Sequence, residues 1–494
     1  MSVAPDKSAR SARGRLRLDL LSMLADLYAL VLAYFLALHL RFSAIAGPLV
    51  YGFLNELLGL GGGADLSTTT QHVTYTRDAL YYLVPMAALL YFLNAFQDLY
   101  QEHRHLRRQP VLWRLFVSNA IVLACLTLAL YFRRNTWHPR SFFVTVFIFN
   151  MALAPLMRLL VRRGMGWMRQ HHGWWQTPTV LVGKTPAAET VREIIENRHP
   201  HGTHIVGHVS SPSDGDLGEL TRTLTDTGAN LVIIADDSLS VATTMRILDL
   251  TAQADAAAKV LTHKLAVLQT RAGERFDTIL GTPLVHFEAP SVSDKNSLWR
   301  QVISRLLAAI GLVALSPLLL LTALLIKLTD PGPVFFVQER YGVDRRPFRM
   351  YKFRTMRVDA EKLLEKLEAS NEAGGGLFKL KHDPRVTPIG RLLRRYSIDE
   401  LPQIFNVLKG DMRIVGPRPL PYRDVKNYYE DWHYHRHHGR PGLTCLWQVS
   451  GRSEIDFENM CILDVYYLRN QNWPLDLRIV LRTVGVVLFG RGAW

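Results

Sequence analysis

Cysteine is scarce: Cys125, Cys445 and Cys461 are the only three in 494 residues, with no C-x-x-C pair and no zinc-like spacing. That excludes a disulfide framework and a metal knuckle, and it suits a chain whose bulk is cytosolic. Acidic charge is also in deficit. Against 58 Lys and Arg stand 43 Asp and Glu, a net charge of +15 with a pI near 9.8. The partners this implies are anions: nucleic acid, acidic headgroups or phosphorylated substrates. Nucleic acid is disfavoured because many arginines flank apolar segments, as Arg158, Arg162 and Arg163 do, where the positive-inside rule accounts for them. Internal repeats are absent, and low complexity is confined to Gly61-Gly62-Gly63 and Gly374-Gly375-Gly376, which read as loops. A small-residue cleavage site is missing after the first apolar run, from about 18 to 40, so that run is expected to remain as a membrane helix.

What is present is apolar length. The mean hydropathy of +0.05 averages strongly apolar stretches with polar ones. Four segments, about 18 to 40, 79 to 96, 111 to 132 and 142 to 161, fit transmembrane helices. Arginines crowd before the first (Arg10, Arg13, Arg15, Arg17), between the second and third (Arg104, Arg107, Arg108) and after the fourth (Arg162, Arg163, Arg169), which puts those regions in the cytoplasm. Arg133, Arg134 and Arg140, between the third and fourth, go mildly against that rule.

From about Pro178 strand-like and helical stretches alternate: TVLVG, a helix near 187 to 197, HIVGHV, a helix near 216 to 226, NLVIIA, a helix near 241 to 253, then KVL. This reads as a small parallel α/β domain. Its first turn, Gly183-Lys184-Thr185-Pro186, holds one glycine where a dinucleotide fingerprint needs three, so a structural or regulatory domain is expected. A fifth apolar segment runs from about 303 to 328 and is broken at Ser316-Pro317. After four spans a full crossing would carry the last third of the chain outside. A mid-helix proline removes a backbone hydrogen bond, so a helix that enters, bends and returns is the expected form. The remainder is polar and basic, with helices expected over 359 to 369 and, amphipathic, over 474 to 490.

The chemistry concentrates in Arg395-Tyr396-Ser397-Ile398-Asp399-Glu400-Leu401-Pro402-Gln403. A capping box from Ser397 to Glu400 would drop Pro402 into the second turn, where its ring meets the Ile398 carbonyl. Starting the helix at Asp399 places Pro402 among residues whose N–H groups lack partners anyway. Such a terminus favours an ionised Asp and a bound phosphate, and the two acids with substrate oxygens suit Mg²⁺. Basic neighbours suit a diphosphate: Lys352, Arg354, Arg391, Arg394, Arg395, Arg413 and Arg418, the last pre-aimed by Gly416-Pro417-Arg418-Pro419.

The segments ERYG, YKFRTM, DPRVTPIGRLLRRYSIDELPQIFNVLKGDM, VGPRP and PGLTCLWQVSGR, in that order, resemble the bacterial polyprenyl-phosphate hexose-1-phosphate transferases, the monotopic phosphoglycosyl transferase superfamily. The resemblance implies a four-helix transmembrane domain (1–165), a Rossmann-like cytosolic α/β domain (175–290) and an α-rich monotopic catalytic domain (298–494) with a re-entrant helix broken at Ser316 and Pro317. It implies Asp399 as the nucleophile that takes a sugar phosphate from a UDP-sugar and releases UMP, and Glu400 as a partner in holding Mg²⁺. Lys352, Arg354, Arg395, Arg418 and Asp411 would bind or orient phosphate. Trp447, Gln448 and Arg452 resemble a segment that faces the nucleotide, and Cys445 stands where the family usually has glycine. The acceptor would be undecaprenyl phosphate at the cytosolic face of the bacterial inner membrane, and glucose the sugar. A homodimer, through the α/β domain or the membrane helices, would fit. Two other readings are a nucleotide-sugar epimerase or dehydratase using the α/β domain, and a non-catalytic scaffold for polysaccharide assembly.

Overall fold

The computed structural model describes residues 7–43, 79–97, 99–100, 111–132, 140–172, 176–197, 203–210, 217–271, 277–279, 282–289, 297–357, 384–422, 429–451 and 455–489, with the single positions 50, 360 and 425. The expected helix at 359–369, both glycine runs and the basic residues 104, 107, 108, 133 and 134 lie outside the described residues, apart from Ala360. Two compact units result, Met1–Thr177 with Ile194–His204, and Pro178–Glu193 with Ile205–Trp494.

The first unit holds α1 (Lys7–Phe42), α2 (Ala79–Phe96), α3 (Val111–Phe132) and α4 (Arg140–His172). Each carries a stretch long and apolar enough to cross a membrane, as does Arg300–Thr329 in the second unit. Along α1, Ala25, Ala29, Ala33 and Ala37 recur every fourth residue and all are buried. Small side chains on one face let helix backbones approach closely, which is how helices associate where lipid is as apolar as they are. Tyr34 of α1 then meets Phe142 of α4 edge to face, ring centroids 5.2 Å apart.

One reading of the sequence is corrected in this unit. Arg158 is not a flanking charge. It is buried, and its Nε and Nη2 donate to Asp26 Oδ1 and Oδ2 at 2.7 and 2.5 Å. Asn94 and the Tyr100 hydroxyl add bonds to Asp26 Oδ2, each 2.9 Å. A charge count along the sequence cannot tell an interfacial arginine from one whose partner lies 132 residues away.

The second unit contains the α/β domain and the last third of the chain. Its sheet uses β1 (Thr177–Val182), β2 (Thr203–Val209), β3 (Leu231–Ile234), β4 (Ala257–Leu261), β5 (Asp277–Ile279) and β6 (Thr282–Phe287) in the order β2-β1-β3-β4-β6-β5. β1, β3 and β4 pair in parallel, as β-α alternation requires, with α5 (Pro186–Asn197), α6 (Gly218–Thr227) and α7 (Val241–Gln253) between strands. The antiparallel β5 and β6 extend the sheet beyond the all-parallel expectation. No helix separates those two strands, so the chain can only fold back on itself there.

α8 (Ser297–Thr329) is one helix of 33 residues with Pro317 inside it, longer at its start than the segment 303–328. The Ser316 hydroxyl donates to the Val313 carbonyl at 2.8 Å. Before this point Ala308 packs in a cluster with Met350, Ile404, Val407 and Met412; beyond it, Ile326 packs with Phe353 and Leu393. Most of its other large apolar side chains, among them Leu306, Ile310, Val313, Leu320 and Leu324, are exposed. A hairpin follows, β7 (Phe335–Tyr341) with β8 (Pro347–Phe353), in register from Phe335↔Phe353 to Tyr341↔Pro347. Then come α9 (Pro388–Arg395), a 3₁₀ turn Ile398–Gln403, α10 (Ile404–Lys409), the short parallel pair β9 (Arg413–Val415) and β10 (Gly442–Thr444), α11 (Phe457–Asn470) and α12 (Trp473–Phe489).

The α/β domain and this last third of the chain share one apolar core, from Val180 and Ile234 through Phe287 to Tyr466 and Ile479. Arg469, near the end of α11, donates to the carbonyls of Glu288, Leu248 and Ala256 at 2.8, 3.0 and 3.4 Å. Asn470 adds a bond to the His286 carbonyl at 2.9 Å.

Candidate active site

The acid pair sits on the 3₁₀ turn Ile398–Gln403, which runs directly into α10. The start differs from the expected helix at Asp399. Ser397 takes a left-handed conformation (φ 55°) and makes no side-chain cap, so the capping box is absent and the turn begins at Ile398. Pro402 lies inside this turn and gives no N–H to it. With so short a first turn the backbone dipole contributes little, and side-chain charge dominates the site.

The pair is asymmetric. Glu400 Oε1 accepts from Lys352 Nζ at 3.0 Å and from Arg418 Nη2 at 2.5 Å, and Oε2 accepts from Arg418 Nη1 at 3.2 Å. Burial works against its charge, but Arg418 and then Lys352 outweigh burial and hold Glu400 well below the usual carboxylate range. Asp399 is buried, and its carboxylate has no hydrogen bond or ion pair to another described side chain. Burial, reinforced by the negative Glu400, pushes it up to about 6; Lys352, Arg394 and Arg418 pull the other way. Burial likewise lowers Lys352, opposed by Glu400.

Three elements bring these groups together. Lys352 comes from β8, which is pinned by the fully buried Asn406 of α10: the Tyr351 amide donates to Asn406 Oδ1 at 3.1 Å, and Asn406 Nδ2 donates to the Arg349 carbonyl at 2.6 Å. Arg418 comes from the Gly416–Pro419 loop. Gly416 admits no side chain, because a Cβ would lie 2.4 Å from the Arg440 carbonyl oxygen.

The remaining expected residues divide. Arg354 is buried beside the end of α8, where its Nη2 donates to the Asp330 carbonyl and lies 3.5 Å from the Asp330 carboxylate; its Nε and Nη1 have no hydrogen-bond partner among the described residues. Trp447 offers its ring to Arg418, whose Cζ is 6.0 Å from the centroid. Gln448 is buried and accepts the Cys445 thiol at 3.1 Å. Asp411 accepts from Asn406 Nδ2 at 3.4 Å and serves the turn after α10. Arg452 lies outside the described residues. Arg395 is exposed and lies over the Tyr396 ring, whereas its neighbour Arg394 bonds the Thr355 hydroxyl at 2.9 Å and acts electrostatically on Asp399. Adjacent helix positions point about 100° apart, so only the rotation of α9 chooses between the two arginines.

Among the described residues no group of three or more His, Cys, Asp or Glu could by itself enclose a metal. Mg²⁺ needs only one or two carboxylates when substrate phosphate supplies oxygens. Asp399 and the less engaged Oε2 of Glu400 meet that requirement. In the α/β domain the crest between β1 and β3, where nucleotides bind in such sheets, is occupied by the protein itself: the Thr185 hydroxyl donates to the Ala235 carbonyl at 2.6 Å, and a Cβ on Gly183 would lie 2.8 Å from the same oxygen.

Apolar helices, an α/β sheet and a cation-lined acid pair define a membrane-anchored multidomain protein. The family profile described as bacterial sugar transferase matches residues 295–490, and one described as CoA-binding domain matches residues 95–236. The second match spans α3 and α4 and ends just past β3, so its limits do not coincide with the sheet. The chain is 32% identical over 340 residues to the UDP-glucose:undecaprenyl-phosphate glucose-1-phosphate transferase of Escherichia coli, covering 66% of this chain and 71% of that one. It is 39% identical to the exopolysaccharide production protein ExoY of Sinorhizobium fredii, over 38% of this chain and 85% of that protein. It is 49% identical to the galactosyl transferase CpsE of Streptococcus agalactiae, over 33% of this chain and 36% of that protein. The chain belongs to the bacterial sugar transferase family, the polyprenyl-phosphate sugar-1-phosphate transferases.

Proposed function

We propose that the protein transfers a hexose 1-phosphate from a UDP-sugar to undecaprenyl phosphate, the first membrane step of exopolysaccharide, capsule or O-antigen synthesis. The observation that carries this reading is the unequal acid pair: Glu400 is locked between Lys352 and Arg418, while the adjacent Asp399 has no bond to another described side chain. An ionised Asp399 attacks the sugar-bearing phosphorus, the bond to the bridging oxygen breaks, and UMP leaves with that electron pair. A sugar-phosphoryl aspartate remains. A phosphate oxygen of undecaprenyl phosphate then attacks the same phosphorus and frees the Asp399 carboxylate. Lys352 and Arg418 hold Glu400 ionised and supply positive charge beside the phosphates. Mg²⁺, held by Asp399 and Glu400, would neutralise phosphate charge. Glucose is the sugar favoured by the resemblance and by the name of the E. coli relative, and galactose the next.

The bilayer holds four helices of the first unit and receives α8 as a re-entrant helix, with the catalytic part on the cytosolic face of the inner membrane. Support for re-entrance comes from packing. Ala308 and Ile326 are eighteen residues apart, about 27 Å in a straight helix and close to the thickness of a hydrocarbon core. Yet they join clusters centred on Met350 and Phe353, only three residues apart on β8. A helix that crossed would carry them to opposite faces.

The test is Mg²⁺-dependent UMP release from a panel of UDP-sugars, with undecaprenyl phosphate in detergent. Full turnover by Asp399→Asn would remove the nucleophile from the scheme.

A further inference from the structure

Arg418 reaches Glu400 from a loop held by its backbone: the Gly416 amide donates to the Thr444 carbonyl at 3.0 Å, the Gly442 amide to the Pro417 carbonyl at 2.9 Å and Arg340 Nη1 to the Pro419 carbonyl at 3.2 Å. A small cavity lies behind it, lined by Pro417, Arg418, Pro419, Arg436, His437 and Gly439 among others. Flanking prolines restrict the loop's dihedrals but do not fix its distance from the acid pair. Arg436, one of the largest fully buried side chains, lines that cavity with the loop. Its Nη2 donates to the Arg418 backbone carbonyl at 2.8 Å and also to Asp464 of α11, and its Nη1 donates to the Tyr429 hydroxyl at 2.9 Å. Asp464 is equally buried and supplies the counter-charge. Burying such a pair brings little stability by itself, so its place against a loop that carries an active-site cation calls for a positional explanation.

We propose that Arg436, fixed by Asp464, is a positioning residue for the transfer: by holding the Arg418 carbonyl it sets the reach of the Arg418 guanidinium onto Glu400. This rests on the sugar-phosphate transfer reading of the acid pair. Lysine cannot replace it, since a single ammonium on a flexible stem does not span three fixed acceptors. A displaced Arg418 weakens stabilisation of charge developing on the phosphate more than it weakens binding of the nucleotide sugar, so the effect falls on kcat.

Arg436→Lys is therefore expected to lower kcat for UMP release about tenfold or more, with KM for the UDP-sugar altered by less than about threefold. In an Arg418→Ala background the same change is expected to cost nothing further, because the two act through one guanidinium. Additive losses in that background, or an unchanged kcat in the single variant, would overturn the proposal. Should Arg436→Lys fail to accumulate, the near-isosteric Asp464→Asn is measured in its place, with the same expectations. A readout independent of turnover is hydrogen exchange. The Gly416 amide, bonded to the Thr444 carbonyl at 3.0 Å, is expected to exchange faster in either variant while amides of α9 and α10 keep wild-type rates. Unchanged exchange at Gly416 would count against the proposal even if activity fell. Asp399→Asn, assayed in parallel, separates the two ideas: if it retains activity the transfer reading fails, whereas the exchange result still judges the Arg436 contact.

Discussion

At the scale of single residues the site turns on two neighbouring carboxylates made unlike by their surroundings. In the proposed transfer Asp399 attacks phosphorus as an anion, and burial with the adjacent Glu400 raises it to about 6. The rate is therefore expected to fall as pH drops through about 6, read as the acid limb of a kcat/KM profile. Stability runs the other way. A carboxylate raised from 3.8 in the fold takes up protons there that the unfolded chain has released, so stability falls as pH rises from about 4 to 6 and stays lower above. Asp399→Asn removes that cost. It is expected to be inactive yet more stable at pH 7 by about 1–3 kcal/mol, measured by thermal unfolding in detergent. A second contrast concerns the basic pair on α9. Arg394, which acts electrostatically on Asp399, is expected to cost roughly 10–100-fold in kcat/KM when changed to alanine, and the exposed Arg395 less than about threefold. Equal losses would refute that distinction.

Elements pose a different question, namely what each helix does with its polar and broken positions. α8 turns at Ser316-Pro317 on the re-entrant reading, so cysteines introduced at 299 and 331 are expected to react with an impermeant maleimide from one side of a sealed vesicle only. Pro317→Leu, which permits a straight helix, is expected to shift part of the population to labelling from both sides. α1 and α4 hold each other through Asp26 and Arg158, a pair buried with Asn94 and Tyr100. Asp26→Ala strands the guanidinium and is expected to destabilise the bundle by about 3–5 kcal/mol, seen as loss of folded protein in detergent; joint replacement of both residues by apolar ones should recover much of it.

For the whole molecule, the α/β domain is built onto the last third of the chain through α11. Three carbonyls of the sheet domain receive Arg469, and a common apolar core runs between them. Burial lowers Arg469 to about 10, so it stays charged at neutral pH. Arg469→Ala is expected to cost about 2 kcal/mol or more and to open the junction to protease, and a variant as resistant as the wild type would contradict a clamping role. α11 also carries Asp464, so the helix that grips the sheet domain is the one that anchors Arg436.

Much of this was legible in one dimension. Apolar runs and their spacing marked the four helices of the first unit, closely at most ends but 11 residues short at the start of α1 and at the end of α4, where the helix continues past its apolar stretch; β-α alternation marked the parallel strands, and the order of short motifs marked the family and the acid pair. Those properties are local: periodicity, turn chemistry and residue type do not depend on distant partners. What local pattern could not reach was pairing across the chain. Only the fold separates Arg394 from Arg395, turns Arg158 from a flanking charge into the buried partner of Asp26, and sets Arg436 behind Arg418. The same holds for the acid pair, since Asp399 and Glu400 have nearly identical chemistry in sequence. Lys352 and Arg418, brought from 48 residues before and 18 residues after, tell them apart by bonding one carboxylate and not the other.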